Sequence, residues 1–244
     1  MKENKFIIVV PVYNADQYIR QSLESILKQT YKNYKLIVID DCSIDTTHNV
    51  IYDVFIKSNF SFKFIRNENR IGSPLANFVK GVQLASDDED ILVTVDGDDW
   101  LHNDNVLSRL NEIYQDENLY MTYGSFIPAS GTYGKYGWQI TDFRGYRKTD
   151  SWLASHLRTF KKKIWNLVKD EDLRDEDGEY FKTAGDAAIL YPILEMCGNQ
   201  HSKFIEDVLY IYNELSPFNE MKIYHDEQLK TLSIIKNKRQ YDEI

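Results

Sequence analysis

Through the first 118 residues, short continuous apolar runs alternate with segments of helical periodicity. The runs are FIIVVP (6–11), KLIVID (35–40), FKFI (62–65) and DILVTVD (90–96). Unbroken apolar runs of this length are typical of strands that are buried on both faces. Because a helical pattern follows each run, the sequence predicts an α/β fold with right-handed crossovers and a mostly parallel sheet flanked by helices.

Two of the predicted helices carry start signals. Asn14 is expected to cap the first helix, with Gln17 placed for a capping box. Ser73 and Pro74 form an N-cap followed by proline at the first helical position. Two further helices are predicted at 44–55 and 107–113, where apolar residues recur at helical spacing.

The second half of the chain has a less regular pattern. YMTYGSFI predicts a strand, and GTYGKYGW (131–138) predicts a hairpin or loop. Helices are expected at 151–167, at 185–197 with Pro192 starting or kinking it, and near 219–238. FIEDVLYIYN (204–213) predicts a strand pair or a bent strand. No linker-like stretch interrupts the chain, so a single domain over residues 1–244 is expected.

Charge and composition exclude several classes of protein. The chain has 244 residues, 29 Lys+Arg against 38 Asp+Glu and a net charge of −9, which argues against nonspecific nucleic-acid binding. Cys42 and Cys197 have no paired spacing, so neither a disulfide framework nor a thiolate zinc site is expected. No apolar stretch approaches the roughly 20 residues of a membrane span. We therefore expect a soluble cytoplasmic protein.

Three polar clusters follow predicted strands directly: PVYN (11–14), DDCS (40–43) and DGDD (96–99). In an open parallel sheet these clusters would converge at the carboxyl edge, where ligands bind. Asp40 is suited to accept an N–H of a pyrimidine ring, and Tyr13 offers a flat face for stacking. The carboxylates of Asp96, Asp98 and Asp99 predict a Mg²⁺ or Mn²⁺ ion that carries a diphosphate.

Longer stretches resemble the family-2 glycosyltransferases of the GT-A fold. The resemblance rests on VVPVYNADQYIRQSLESILKQTYKNYKLIVIDDCSIDTT (9–47), on NRIGSPLAN (69–77) and on VDGDDW (95–100), which matches the DxD region of the family. It implies an inverting transfer of a sugar from a nucleotide diphosphate donor, usually a UDP-sugar, to a hydroxyl of a glycan, glycoconjugate or protein. Residues 1–118 would then bind the donor, and 119–244 would form the acceptor side.

The resemblance also implies roles for individual residues near the donor. Those expected to bind the nucleotide and its diphosphate are Pro11, Tyr13, Asn14, Asp40, Arg70, Asp96 and Asp98. Asp96, Asp98 and Asp99 are expected to hold the metal ion. In the glycine-containing stretch NRIGSPLAN, Ala76 occupies the position of an arginine of the family. Arg70 is expected to make the phosphate or ribose contacts of that arginine.

A later motif of the family contains the general base, as the second acid of a Glu-Asp pair that opens a helix. TAGDAAILYP (183–192) has Gly185 and Asp186 there, so Asp186 is the expected base. By resemblance, SHLRTFKKKIW (155–165) places His156 or Arg158 at the acceptor or diphosphate. The Q/R-x-x-R-W motif and membrane helices of processive synthases are not found, which favours addition of a single sugar.

Several alternatives remain open. DGDD is also compatible with a surface turn, Asp186 with a helix cap and His156 with a structural role. His225 is either a C-terminal metal ligand or part of a solvated helix face. The aromatic residues of 131–152 suit core packing and sugar binding equally. As whole functions, a nucleotidyltransferase would need a glycine-rich basic loop, which PVYNADQY does not provide, whereas a non-catalytic carbohydrate- or nucleotide-binding protein is compatible with the same fold.

Overall fold

A computed structural model describes residues 1–58, 60, 62–132, 134–216 and 220–244. Its strands are β1 (Phe6–Val12), β2 (Tyr34–Asp40), β3 (Lys63–Arg66), β4 (Ile91–Thr94), β5 (Trp100–Leu101), β6 (Met121–Pro128), β7 (Ser155–Lys161) and β8 (Ser202–Tyr212). Its helices are α1 (Ile19–Leu27), α2 (Thr47–Lys57), α3 (Pro74–Val82), α4 (Val106–Ile113), α5 (Lys162–Trp165), α6 (Gly185–Cys197), α7 (Glu220–Ile223) and α8 (His225–Asn237).

The strands form one sheet in the order β3-β2-β1-β4-β7-β6-β8-β5. The first four strands in this order, β3, β2, β1 and β4, are parallel to one another and correspond to the four predicted apolar runs. Their carboxyl ends therefore lie at one edge, together with the polar clusters that follow them. The predicted α/β class is confirmed, and its parallel part is the half that carries these clusters.

The other half of the sheet contains β7, which pairs antiparallel with both β4 and β6. The prediction of a helix over 151–167 is therefore wrong, except for the short α5. All seven residues of β7 are buried. Its polar side chains find partners inside the protein; Thr159, for example, shares hydrogen bonds with Tyr114 and Thr122.

Helix starts agree with the prediction at one place and disagree at another. Ser73 caps α3 by accepting a hydrogen bond from Ala76 N at 3.1 Å. Asn14 does not cap α1, which begins five residues later and has no side-chain cap. Asn14 adopts φ +48° and its Oδ1 instead accepts a hydrogen bond from Ile44 N at 3.0 Å, so its side chain joins two loops of the sheet edge.

Most of the remaining predictions for the second half agree with the observed elements, although the helix predicted near 219–238 is divided at Tyr224 into α7 and α8. β6 and α6 lie where strand and helix were expected, and Pro192 is inside α6. β8 is one strand whose register with β6 shifts twice, which corresponds to the predicted bend. Tyr133 of the predicted loop and Asn219 of the predicted C-terminal helix lie outside the described residues.

Apolar side chains pack on both faces of the sheet in two clusters. One joins α3 and α6 to the sheet and extends to Ile235 of α8, and the other joins α1, α2 and α4. Both clusters therefore contain residues from the two halves of the chain. Among the described residues, no helix combines the length and apolarity that a bilayer crossing requires.

Candidate active site

Tyr13 and Arg70 form a stacked pair beyond the carboxyl end of β1. The Arg70 guanidinium carbon lies 3.9 Å from the centroid of the Tyr13 ring. A cation held over an aromatic face in this way is attracted to the negative π surface. The structure thus brings together two residues that the sequence assigned to nucleotide binding.

Asp41 holds the loop that carries Arg70. Its carboxylate is buried and accepts hydrogen bonds from Ile71 N at 2.9 Å, Gly72 N at 2.8 Å and Asn67 Nδ2 at 2.8 Å. Gly72 adopts φ +75°, a conformation that glycine enters without strain. Asp41 therefore shapes residues 67–72, while Asp40 faces a different set of groups.

Asp40 is fully buried at the end of β2. Its Oδ1 accepts hydrogen bonds from the backbone N–H and the hydroxyl of Ser43. Its Oδ2 has no hydrogen-bond partner among the described residues, and the nearest cation is Arg66 Nε at 3.4 Å. One carboxylate oxygen is thus fully used and the other is available as an acceptor.

The acidic cluster packs tightly against the end of β1. A Cβ atom on Gly97 would lie 2.6 Å from Cβ of Val12 and 3.1 Å from the carbonyl oxygen of Pro11. The residue between Asp96 and Asp98 therefore has to be glycine for the loop to lie this close. Pro11, which the sequence assigned to the nucleotide site, contributes to this contact through its backbone.

The three carboxylates of the cluster have different surroundings. Asp96 is exposed and Asp98 is half-buried, with a hydrogen bond to the side chain of Ser216. Asp99 is 1% exposed, and its Oδ1 accepts a hydrogen bond from Asn213 N at 2.7 Å. Its Oδ2 has no hydrogen-bond partner within the described ranges.

Desolvation and mutual repulsion raise the pKa of these carboxyl groups. Surrounding protein and then Asp98 raise the pKa of Asp96 to about 6, and the nearby Arg158 guanidinium opposes this rise. Water still reaches the Asp96 side chain at the surface, so its environment is partly desolvated rather than dry. Burial raises the pKa of Asp98, and burial together with Asp98 and Asp96 raises that of Asp99 well above its usual range. A divalent cation would relieve this crowding of negative charge.

His156 and Arg158 both project from β7 toward this cluster. The His156 ring is 8% exposed and stacks on Tyr210 with centroids 4.5 Å apart. Arg158 Nη2 lies 3.1 Å from His156 Nε2 and 3.2 Å from Asp186 Oδ2. Burial and then the Arg158 charge hold the pKa of His156 well below its usual value, so the imidazole is neutral at physiological pH.

Asp186 lies in the first turn of α6. Its Oδ1 accepts a hydrogen bond from Ala187 N at 2.8 Å, and its Oδ2 pairs with Arg158. A Cβ on Gly185 would lie 2.8 Å from Cβ of Leu75, which explains why glycine replaces the glutamate of the family motif. Through Arg158, which also contacts His156, the predicted base lies near the acidic cluster.

One group of side chains could hold a metal ion. Ligand atoms of Asp96, Asp99 and His156 all lie within 4.8 Å of one another. Asp98 does not belong to this group, and its predicted metal role remains a prediction. His225 is exposed at the start of α8, where it lines a cavity of about 520 Å³ together with neighbouring residues of α7 and α8.

Tyr210 is a component of the site that sequence reasoning missed. Its hydroxyl accepts a hydrogen bond from Asp96 N at 3.1 Å and lies against the Asp99 carboxylate. The Tyr212 ring also stacks near the His156 ring, with the two ring centroids 5.9 Å apart. The alternation YIY in the predicted strand places both tyrosines on one face and was the available signal.

The aromatic residues of 131–152 divide between the core and the surface. Tyr146 is buried, whereas Trp138 is 52% exposed. Trp152 is half-buried and its ring centroid lies 5.7 Å from the Arg158 guanidinium carbon. An aromatic surface is therefore present beside the Arg158–Asp186 pair.

Solved structures of low sequence identity have the same fold. S. aureus TarS 1–349 in complex with UDP-GlcNAc matches with a TM-score of 0.68 and 20% identity, over 95% of this chain and 66% of that one. The mannosyltransferase PcManGT from Pyrobaculum calidifontis, in complex with GDP-Man and Mn²⁺, matches with a TM-score of 0.66 and 14% identity, over 99% and 67%.

Curated relatives match about half of the chain. Glycosyltransferase GlyA of Streptococcus pneumoniae serotype 4 is 31% identical over 133 residues, which cover 54% of this chain and 18% of the relative. An uncharacterized glycosyltransferase of Haemophilus influenzae is 34% identical over 119 residues, covering 49% and 46%. The chain thus spans less than half the length of these two relatives.

The match to a family model is longer. The model described as Glycosyl transferase family 2 matches residues 7–173, which is more than half of the chain. This range contains the nucleotide-side residues, the acidic cluster and both His156 and Arg158. The predicted resemblance is confirmed, and the chain belongs to glycosyl transferase family 2.

Proposed function

We propose that the chain is an inverting, metal-dependent and non-processive glycosyltransferase, which moves a sugar from a UDP-sugar to a hydroxyl of a glycan, glycoconjugate or protein. The observation that carries the proposal is the position of Asp186. It lies more than 80 residues from the acidic cluster in the sequence, yet its Oδ2 is 3.2 Å from Arg158 Nη2. Arg158 in turn contacts His156 at 3.1 Å, and the His156 ring lies beside Asp96 and Asp99. A proton acceptor therefore faces the place where a metal-bound diphosphate would leave.

Asp40 supports a uracil donor. Oδ1 is used by Ser43, so Oδ2 alone is available, and one acceptor matches the single imide N–H of uracil. Guanine would present two adjacent donors on its corresponding edge. Because Oδ2 is buried beside the exposed Arg66, binding requires that arginine side chain to move, while Tyr13 offers its ring for stacking.

The acidic cluster fits a divalent cation. The unpartnered Oδ2 of buried Asp99 and the raised pKa values of all three carboxyl groups indicate a site that lacks positive charge. Mg²⁺ and Mn²⁺ take oxygen ligands, and either would supply Lewis-acid stabilisation of the departing diphosphate. Mn²⁺ is present in the complex of the mannosyltransferase neighbour.

Asp186 would accept the proton of the acceptor hydroxyl as its oxygen forms the bond to the anomeric carbon, opposite the breaking bond to the diphosphate. Ala187 N and Arg158 hold the two carboxylate oxygens, so the group is oriented before the acceptor arrives. Trp152 lies beside this pair and suits the face of an acceptor sugar.

The test is a panel of nucleotide sugars with Mn²⁺, scored for slow donor hydrolysis and for transfer to simple glycans. UDP-sugars are expected to react, and GDP- and ADP-sugars are not. Asp186→Asn should reduce turnover at least about 100-fold, since general-base catalysis contributes that much, while UDP binding measured by calorimetry stays unchanged.

Asp226→Asn provides the matched control, because Asp226 is also an aspartate in the first turn of a helix but is exposed on α8. It should keep full turnover. Equal activity of wild type and Asp186→Asn would contradict the assignment of the base. A panel without any reaction, in the presence of intact UDP binding, would favour a non-catalytic binding protein.

A further inference from the structure

The group formed by Asp96, Asp99 and His156 combines residues from two strands that are far apart in the sequence. The two aspartates follow β4, and His156 lies on β7, which pairs antiparallel with β4. One oxygen from each carboxylate and one ring nitrogen lie within 4.8 Å of each other. This spacing allows three ligand atoms to surround one cation.

Two atoms of this group lack partners although their residues are buried. Asp99 is 1% exposed and its Oδ2 accepts no hydrogen bond, and His156 is 8% exposed and its Nδ1 has no partner among the described residues. A buried polar atom without a partner is destabilising, because it has lost its hydrogen bonds to water. Such atoms in native sites call for a ligand or a bound water.

Tyr210 fixes all three residues relative to one another. Its hydroxyl contacts the backbone N–H of Asp96 and the carboxylate of Asp99, and its ring stacks on His156 at an interplanar angle of 9°. Residues that orient ligands in this way are typical of metal sites. A histidine that only filled the core would not need alignment with two carboxylates.

We propose that His156 Nδ1 is a protein ligand of the divalent cation, together with one carboxylate oxygen each from Asp96 and Asp99. This inference rests on the proposed metal-dependent function. The diphosphate of the donor and water would complete the coordination. A mixed set of imidazole and carboxylate ligands favours Mn²⁺ over Mg²⁺, because Mg²⁺ binds oxygen almost exclusively.

Ligation through Nδ1 requires a change of tautomer, because the 3.1 Å contact with Arg158 Nη2 makes Nε2 the acceptor and leaves the proton on Nδ1. A neutral imidazole carries one proton, so ligation through Nδ1 places that proton on Nε2, which then no longer accepts from Arg158. Arg158 retains Asp186 Oδ2 at 3.2 Å and the carbonyl oxygen of Ala154 at 3.1 Å. Metal binding therefore leaves Arg158 committed to the base rather than to the histidine.

The test uses the full chain labelled with ¹⁵N-histidine, loaded with Mn²⁺ and UDP, and pulsed electron paramagnetic resonance. Directly bound imidazole nitrogen gives a ¹⁵N coupling in electron spin echo modulation. We expect this coupling in the wild type, its loss in His156→Gln and its retention in His225→Gln. Mn²⁺ affinity should fall at least about tenfold in His156→Gln, as expected when a metal-site residue is lost.

A second variant covers the case in which His156→Gln does not fold. The chain has five histidines, and replacing His48, His102, His201 and His225 by glutamine leaves His156 alone. The coupling should persist in that variant. Absence of coupling in the wild type, or its loss in either variant that retains His156, would overturn the inference. Donor turnover without ¹⁵N coupling would refute ligation by His156 and leave the proposed function standing. Coupling without turnover would support ligation by His156 and contradict the proposed function.

Discussion

At the scale of single residues, the raised pKa of Asp96 predicts that the proposed metal binding depends on pH. Its pKa is raised from the ordinary 3.8 to about 6 by desolvation and by Asp98. A raised pKa means that the folded, metal-free protein prefers the protonated form. Protonation of Asp96 therefore favours the folded state. Its contribution to the free energy of unfolding is complete below pH 3.8 and is lost as the pH rises through about 6. A cation binds the ionised form and offsets that loss.

We therefore expect Mn²⁺ to stabilise the protein more at pH 7.5 than at pH 5. Below the pKa of Asp96, a proton competes with the ion, so the apparent affinity should fall up to about tenfold per pH unit. Thermal unfolding with Mn²⁺ alone measures this, and omitting UDP avoids titration of its terminal phosphate. Burial and the Arg158 charge hold the pKa of His156 well below its usual value, which reduces competition from protonation of that group. A stabilisation independent of pH would show that Asp96 does not bind the ion.

The sequence predicted some residues of the candidate site and missed others for a physical reason. Tyr13, Asp40 and the acidic cluster follow apolar strands directly, so local pattern and parallel topology together place them at one edge. The YIY alternation indicates that Tyr210 and Tyr212 share a face of their strand. It does not indicate which residues that face meets, because Tyr210 contacts Asp96 and His156 from distant parts of the chain.

At the scale of elements, the loop of residues 67–72 depends on a single buried carboxylate. Asp41 accepts three hydrogen bonds from this loop, and the loop places Arg70 on Tyr13. Asp41→Asn keeps the shape of the side chain but turns an amide N–H₂ toward backbone donors. We expect a loss of about 1–3 kcal/mol in the free energy of unfolding. Urea unfolding measures it, and calorimetry should show weaker UDP binding because Arg70 is displaced.

Asp45→Asn is the matched control for this loop. Asp45 is half-buried and also accepts backbone hydrogen bonds, from Asp16 and Thr47, but has no hydrogen bond to residues 67–72. It should bind UDP like the wild type. If both variants bind UDP equally well, the position of Arg70 does not contribute to nucleotide affinity.

The strand β7 illustrates why element type could not be predicted everywhere. The sequence predicts a helix over 151–167, and the spacing of Leu153, Leu157, Phe160 and Ile164 is compatible with one. In the protein, β7 lies between β4 and β6 and buries polar residues on the strand as well as apolar ones. Pairing with two distant strands overrides a local periodicity, because backbone hydrogen bonds on both sides outweigh the local preference.

At the scale of the whole molecule, a buried ion pair on α6, the helix that carries the proposed base, also holds residues 235–241 near the end of the chain. Arg147 Nη2 lies 2.6 Å from Glu195 Oε2, and the two side chains are 2% and 1% exposed. Arg147 also donates to the carbonyl oxygens of Ile235 and Lys238, while Glu195 accepts from Tyr241 N at 3.0 Å. Glu195 belongs to α6, whose first turn carries Asp186. The end of the chain thus supports the element on which the proposed base depends.

Glu195→Gln should be strongly destabilising, since it leaves the guanidinium of Arg147 buried without a counter-charge. Removing one partner of such a pair costs about 3–5 kcal/mol in the free energy of unfolding, measured in urea. The exposed pair of Arg174 and Asp170 is the control, and Asp170→Asn should cost less than about 1 kcal/mol. Proteolysis should also release the C-terminal segment faster from Glu195→Gln. If that variant unfolds like Asp170→Asn, the segment is held by apolar packing around Ile235 rather than by the ion pair.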